Sequence, residues 1–348
     1  MAEKEPPNPL AGLPDPPAVS LKTIAVTGIL CDIYGLEDLP SNLTHVSVLW
    51  LHNPRLGSKE RMAHIAQRAV GEYNRTRVDG RTRGLIAVAF DQRNHGTREA
   101  YPLSNQSWKK GNPHHAQDMF GIISGAVVDT RHLIDALPGY LFLESCPSQP
   151  EFDQHLCLGV SLGGHSTWQT LFADPRVTAG VSIIGCPDFQ FLMKDRARLS
   201  KLSTYDKDTK GADFLGSKDF PPALVSQCAQ FDPKGIVFGT HHVVEAPSEK
   251  QQAKYRKILD KHVKGKKLLM TTGGDDKLVP WRCSEPFTKF FTSAADGWYK
   301  DSGLVVDNRI YAGIGHECSP DMVVDAVRFV CDVVNGADAA ASSAASRI

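Results

Sequence analysis

The chain has 348 residues, room for one large α/β domain or two small ones. Its 39 lysines and arginines balance 39 aspartates and glutamates, so bulk electrostatics favour neither nucleic acid nor an anionic membrane as a partner. The longest apolar runs are strand-sized, which excludes a membrane-spanning helix. Eight cysteines without C-x-x-C spacing read as free thiols of a reducing compartment rather than a disulfide framework.

The chain opens on "MAEKEPPNPLAGLPDPP", which is Pro-rich and lacks the apolar core of a secretory signal; residues 1–20 read as an extended or disordered lead. "TIAVTGIL" and "HVSVLWLH" then read as strands, "KERMAHIAQRAVGEY" as a helix and "GLIAVAF" as another strand. A long helix follows, with apolar residues from Met119 to Leu137 at the three-and-four spacing of one buried face. "HLCLGV" (strand), "GGHSTWQTLF" (helix) and "AGVSIIG" (strand) come next. The charged stretch 188–263 contains Pro221 and Pro222 and no clear strand, and it is too long for an ordinary loop; a helical cap or lid insertion is expected there. "KKLLMTTGG" and "NRIYAG" are the last strands, and "PDMVVDAVRFVCDVV" is a closing helix. Residues 336–348 are small and polar and read as a flexible tail. Strands alternating with helices, many without polar alternation, imply a mostly parallel sheet covered on both faces. The expected α/β core is 21–187 plus 264–335.

The informative stretch is "LCLGVSLGGHSTW", in which Gly159-Val160-Ser161-Leu162-Gly163 satisfies G-x-S-x-G between a strand and a helix. A serine on so tight a turn is held in a strained conformation and exposed at the carboxyl edge of the sheet. Side chains two residues to either side would collide across the turn, hence the glycines. The helix N-terminus beyond it, with the Leu162 amide, can stabilise negative charge on a substrate oxygen.

With this elbow, "FDQRNHG", "GGDDKLVP" and "GIGHECSPDM", the sequence resembles the α/β-hydrolase superfamily, and within it esterase-like members of the dienelactone-hydrolase and prolyl-oligopeptidase group. The likeness runs from about Leu21 to Val334 and leaves out the insertion. It implies an α/β-hydrolase fold and a triad in the chain order Ser…Asp…His. An aspartate three residues before Val-Pro selects Asp276 as the acid, with its neighbour Asp275 as the alternative. His316, on a loop between the last strand and the closing helix, is the base expected for Ser161. The second oxyanion donor should come from the loop His52-Asn53-Pro54-Arg55-Leu56-Gly57. Pro54 has no N–H, so the donor is the amide of Arg55 or Leu56, or the hole is built differently. Asp91 and Arg93 of D-x-R-x-H-G are expected to organise loops, while His95 could touch substrate. Phe189 and Phe191 of "DFQFLM" could line an acyl pocket.

Three histidines at metal-ligand spacing are not found, so neither metal nor cofactor is expected. The expected function is a serine hydrolase cleaving a small-molecule carboxylic ester through an acyl-enzyme. A thioesterase, a lactonase or a carbon–carbon hydrolase would use the same triad. A non-hydrolytic small-molecule binder is the reading from another class. Oligomeric state is left open by the sequence. The expected location is cytoplasmic; the terminal Ser-Arg-Ile has the form of a peroxisomal address as the alternative.

Overall fold

The computed structural model describes residues 13–77, 80–141 and 149–345. The first twelve residues of the Pro-rich lead, Cys146 and the terminal Ser-Arg-Ile lie outside the described residues. The strands are β1 (Leu21–Val26), β2 (Ile29–Tyr34), β3 (His45–His52), β4 (Arg83–Phe90), β5 (Glu151–Val160), β6 (Val177–Ile183), β7 (Lys267–Gly273) and β8 (Val305–Tyr311). They form one sheet in the order β1-β2-β4-β3-β5-β6-β7-β8. β1 and β2 are antiparallel to their neighbours, and every pairing from β4 to β8 is parallel.

The helices are α1 (Ala63–Thr76), α2 (His115–Tyr140), α3 (Leu162–Ala173), α4 (Phe189–Ser200), α5 (Pro222–Phe231), α6 (Pro233–Phe238), α7 (Glu249–His262), α8 (Trp281–Asp296) and α9 (Pro320–Ala345). No helix among the described residues is long and apolar enough to cross a membrane.

The central strands are apolar throughout because both faces are covered. Along β3, Val46, Val48 and Trp50 point to a cluster built with α2, α3, α7 and α8. Leu49 and Leu51 point to the opposite cluster, built with α1 and α9. β4 divides in the same way, Ile86, Val88 and Phe90 against Leu85, Ala87 and Ala89, which is the period-two alternation of a strand. A third cluster brings α4 and α5 against the first half of α2, Leu162 and Val279.

Four features differ from the sequence reading or refine it. "TIAVTGIL" is a hairpin rather than one strand: Thr27 and Gly28 both have positive φ, 49° and 86°, between the paired Val26 and Ile29. Two such residues make the tight turn whose twist suits antiparallel strands. The described part of the lead is docked: Leu13 and Val19 pack on the α1/α9 cluster. Pro17 there occupies the space a Gly71 side chain would need, 2.6 Å from where its Cβ would sit. α7 lies in the sheet-facing cluster through Tyr255 and Leu259, unlike α4 and α5. Finally, α9 continues to Ala345 through most of the segment read as a tail, a run rich in alanine, the best helix former.

Candidate active site

Ser161 follows β5 and caps α3 with φ 54° and ψ −110°, a conformation few non-glycine residues adopt. The flanking glycines are required sterically. A Cβ on Gly159 would stand 2.1 Å from the Gly163 carbonyl oxygen, and one on Gly163 would stand 2.0 Å from that of His52. The helix therefore starts pressed against the ends of β3 and β5. The strained serine is held by its amide, which donates to the Ile183 carbonyl at 2.9 Å, and by its carbonyl, which accepts from His165 at 3.1 Å.

Asp276 follows β7 and His316 follows β8, so both loops reach Ser161 over the carboxyl edge of a parallel sheet, where open α/β sheets bind ligands. His316 Nδ1 lies 2.7 Å from Asp276 Oδ2, and His316 Nε2 lies 2.8 Å from Ser161 Oγ. A carboxylate only accepts, so Nδ1 carries the proton and Nε2 offers its lone pair to the hydroxyl. The other oxygen, Asp276 Oδ1, accepts the amides of Leu278 and Val279, each at 2.8 Å. Burial raises the Asp276 pKa, but the His316 contact and the two amides outweigh it and hold the carboxyl below its usual range. The Asp276 side chain is fully buried, that of His316 is 20% exposed, and Ser161 is half-buried. Asp275 is exposed at the surface.

Leu162 is the first residue of α3, so its N–H has no acceptor within the helix. Pro54 to Gly57 form a turn closed by the Gly57 amide on the Pro54 carbonyl at 3.0 Å, with Leu56 at φ 61°. That bond leaves the amides of Arg55 and Leu56 at the centre of the turn. The loop is fixed from beneath by residues the sequence reading did not single out. Asn53 Nδ2 donates to the carbonyls of Pro54 and Gly57, both at 3.1 Å, and its Oδ1 accepts the Gln92 amide at 3.1 Å. Gln92 in turn donates to the Asn53 carbonyl at 2.5 Å and accepts the Ser166 hydroxyl at 2.8 Å. Gln92 lies inside the quoted "FDQRNHG", the one local hint to this network.

Asp91 accepts the amides of Lys59 and Thr97 at 2.8 and 2.9 Å, and Arg93 pairs with Asp129 at 3.0 Å; both tie loops together. His95 borders a cavity of about 240 Å³ with Leu56 and Gly57, and burial holds its pKa below the usual value. Phe189 is 2% exposed and packs on Phe120 and Phe220; it is core, and the expectation of a pocket wall is corrected there. Phe191 faces a cavity of about 510 Å³ whose lining includes none of Ser161, Asp276 and His316. His165 is buried and accepts the Cys186 amide at 2.8 Å, which is packing rather than chemistry. Among the described residues, His45, Glu151 and Asp153 come close enough to share a cation. They sit at the amino ends of β3 and β5, and Asp153 is engaged there by Arg83 at 2.7 Å.

No protein-family model matches the sequence, and no curated protein matches it significantly. In structure, it is similar to TT1662 of Thermus thermophilus, with TM-score 0.52, 15% identity and coverage of 91% of this chain and 98% of that one. It is also similar to the acylaminoacyl peptidase of Pyrococcus horikoshii, with TM-score 0.52 and 14% identity over 91% of this chain. The chain spans only 41% of that peptidase's length. With this strand order, a serine elbow after β5 and these structural relatives, the chain has the α/β-hydrolase fold.

Proposed function

We propose that the protein is a serine hydrolase of small-molecule carboxylic esters. The observation that carries this reading is the unbroken hydrogen-bond chain Ser161–His316–Asp276 at a strained strand-to-helix turn. Ser161 Oγ attacks the ester carbonyl carbon while its proton passes to His316 Nε2. Asp276 holds the imidazole in the productive tautomer and stabilises the imidazolium. The developing oxyanion is met by the Leu162 amide at the head of α3 and by the Arg55 or Leu56 amide of the loop that Asn53 and Gln92 brace. Collapse breaks the carbon–oxygen bond, and His316 returns the proton to the departing alcohol. Water then attacks the acyl-enzyme with His316 again as base, releasing the acid and restoring Ser161. Residues 188–232, with α4 and α5 packed beside Leu162 and Val279, form the cap over this chemistry; α6 and α7 belong with the core.

Labelling with a fluorophosphonate tests the proposal. A single adduct on Ser161 by mass spectrometry, absent from Ser161→Ala and His316→Ala, is the expected result. Hydrolysis of 4-nitrophenyl butyrate should fall in kcat by about 10⁴–10⁶ in either variant. An unlabelled Ser161 in folded protein, or an active Ser161→Ala, would overturn the assignment.

A further inference from the structure

A cavity of about 220 Å³ opens beside the proposed active site, bounded by Arg55 of the oxyanion loop, Arg196 of α4, Lys277 and Leu278 of the Asp276 loop, and Trp108 with Lys109. It touches that site at two points: Leu278 gives its amide to Asp276, and Arg55 is a central residue of the turn from Pro54 to Gly57. Of its ten lining residues, four are lysine or arginine and none is acidic, in a chain whose charges cancel overall. Such a concentration of one sign around a concave site marks the charge of its ligand.

The two arginines are the decisive members. Among the described residues, no carboxylate lies within ion-pair distance of either. The neighbouring acid, Asp195, is committed to Arg198 and Arg282, both at 2.7 Å. Arg196 donates to the Leu278 carbonyl at 3.3 Å and touches Met119 Sδ at 3.0 Å, while its buried Nε has no acceptor. The third neighbour, His115, carries its proton on Nδ1, which donates to the Gln106 carbonyl at 2.9 Å, so it faces Arg196 as a neutral ring. The buried Trp108 indole N–H likewise lacks an acceptor. Burial, with the nearby charge of Arg55, pushes the Arg196 pKa down to about 10, so the guanidinium stays charged at neutral pH. Two guanidinium groups with unused donors suit the paired oxygens of a carboxylate or a phosphate.

We propose that this cavity binds an anionic group, a carboxylate or a phosphate, carried by the ester substrate. The inference rests on the serine-hydrolase reading and narrows it to negatively charged esters.

Two matched pairs test it. One places the charge on the acyl side, mono-4-nitrophenyl glutarate against 4-nitrophenyl valerate; the other places it on the leaving group, 4-acetoxybenzoate against phenyl acetate. In at least one pair the anionic ester should have a kcat/KM about 10- to 100-fold above its neutral partner. Arg196→Met should remove that preference, with kcat/KM for the anionic ester falling about 10- to 100-fold and that for its neutral partner falling far less. Should Arg196→Met fail to fold, the double variant Lys109→Gln/Lys277→Gln, on two exposed side chains, should still reduce the preference and its sensitivity to salt. Calorimetry of Ser161→Ala with glutarate and with phenyl phosphate gives a readout free of turnover and separates the two anions. Binding of either, lost on adding Arg196→Met, supports the site even if no ester is cleaved, in which case the hydrolase reading alone fails. Cleavage of neutral esters without anion preference in either pair overturns the subsite and leaves the hydrolase reading intact. Absence of both cleavage and binding overturns the two together.

Discussion

Asp275 and Asp276 are chain neighbours that the turn after β7 sends to opposite environments. Asp275 gives its amide to the Ile314 carbonyl at 2.9 Å and keeps its carboxylate in water, while the Asp276 carboxylate is buried between His316 and two amides. On 4-nitrophenyl butyrate, Asp276→Asn should lower kcat by about 10³–10⁴, since the amide favours the wrong histidine tautomer. Asp275→Asn should leave kcat where it was, and the reverse pattern would exchange their roles. Ser161 and His316 were legible in the sequence because the elbow and the chain order constrain residues locally. The choice between the aspartates was open to residue reading alone, for either fits a turn. Asn53, Gln92 and Ser166 escaped notice because their contacts join residues 39 and 74 positions apart in the chain. Arg196 escaped for a related reason: what distinguishes it is the absence of an acidic partner among the described residues, which only folding reveals. Phe189 shows the converse, an apolar residue whose fate depends on which side of its helix faces the core.

At the scale of elements, the alternation of strand and helix was readable because buried parallel strands leave long apolar runs. The hairpin between β1 and β2 was not, since Thr27-Gly28 lacks the Asn-Gly form that usually signals such a turn. The stretch 188–263 is charged and lacks a clear strand, and composition does not say where each of its helices docks. α7 begins with a capping box, Ser248 with Gln251, and turns only Tyr255 and Leu259 fully inward. Those two residues meet the aromatic cluster of Phe238, Phe287 and Phe290 on the sheet face. Leu259→Ala should therefore cost about 2–5 kcal/mol in urea unfolding, with the KM for a simple ester unchanged. A cost near zero together with a raised KM would instead assign α7 to the cap.

For the molecule as a whole, the balanced charge hides an asymmetry among its histidines. Burial pushes the pKa of His52 and His155 down to about 4, and that of His115 and His165 down to about 3. All four are neutral inside the fold, whereas in the unfolded chain they take up protons near pH 6.5. Stability is therefore full above about pH 6.5 and falls as the pH drops toward about 4, each histidine adding a slope of up to ~1.4 kcal/mol per pH unit. Urea unfolding between pH 7 and 4.5 should show this loss, and a flat profile would mean that these side chains are hydrated. The seven described cysteines are free, and six of them are buried. They are distributed over every layer: Cys157 within the central sheet, Cys331 between α9 and α1, and Cys186, Cys228 and Cys283 in the cluster around α4 and α5. A thiol so enclosed reacts only after its surroundings part, so each layer carries its own clock, and the order in which the sulfurs become reactive is the order in which the molecule comes apart.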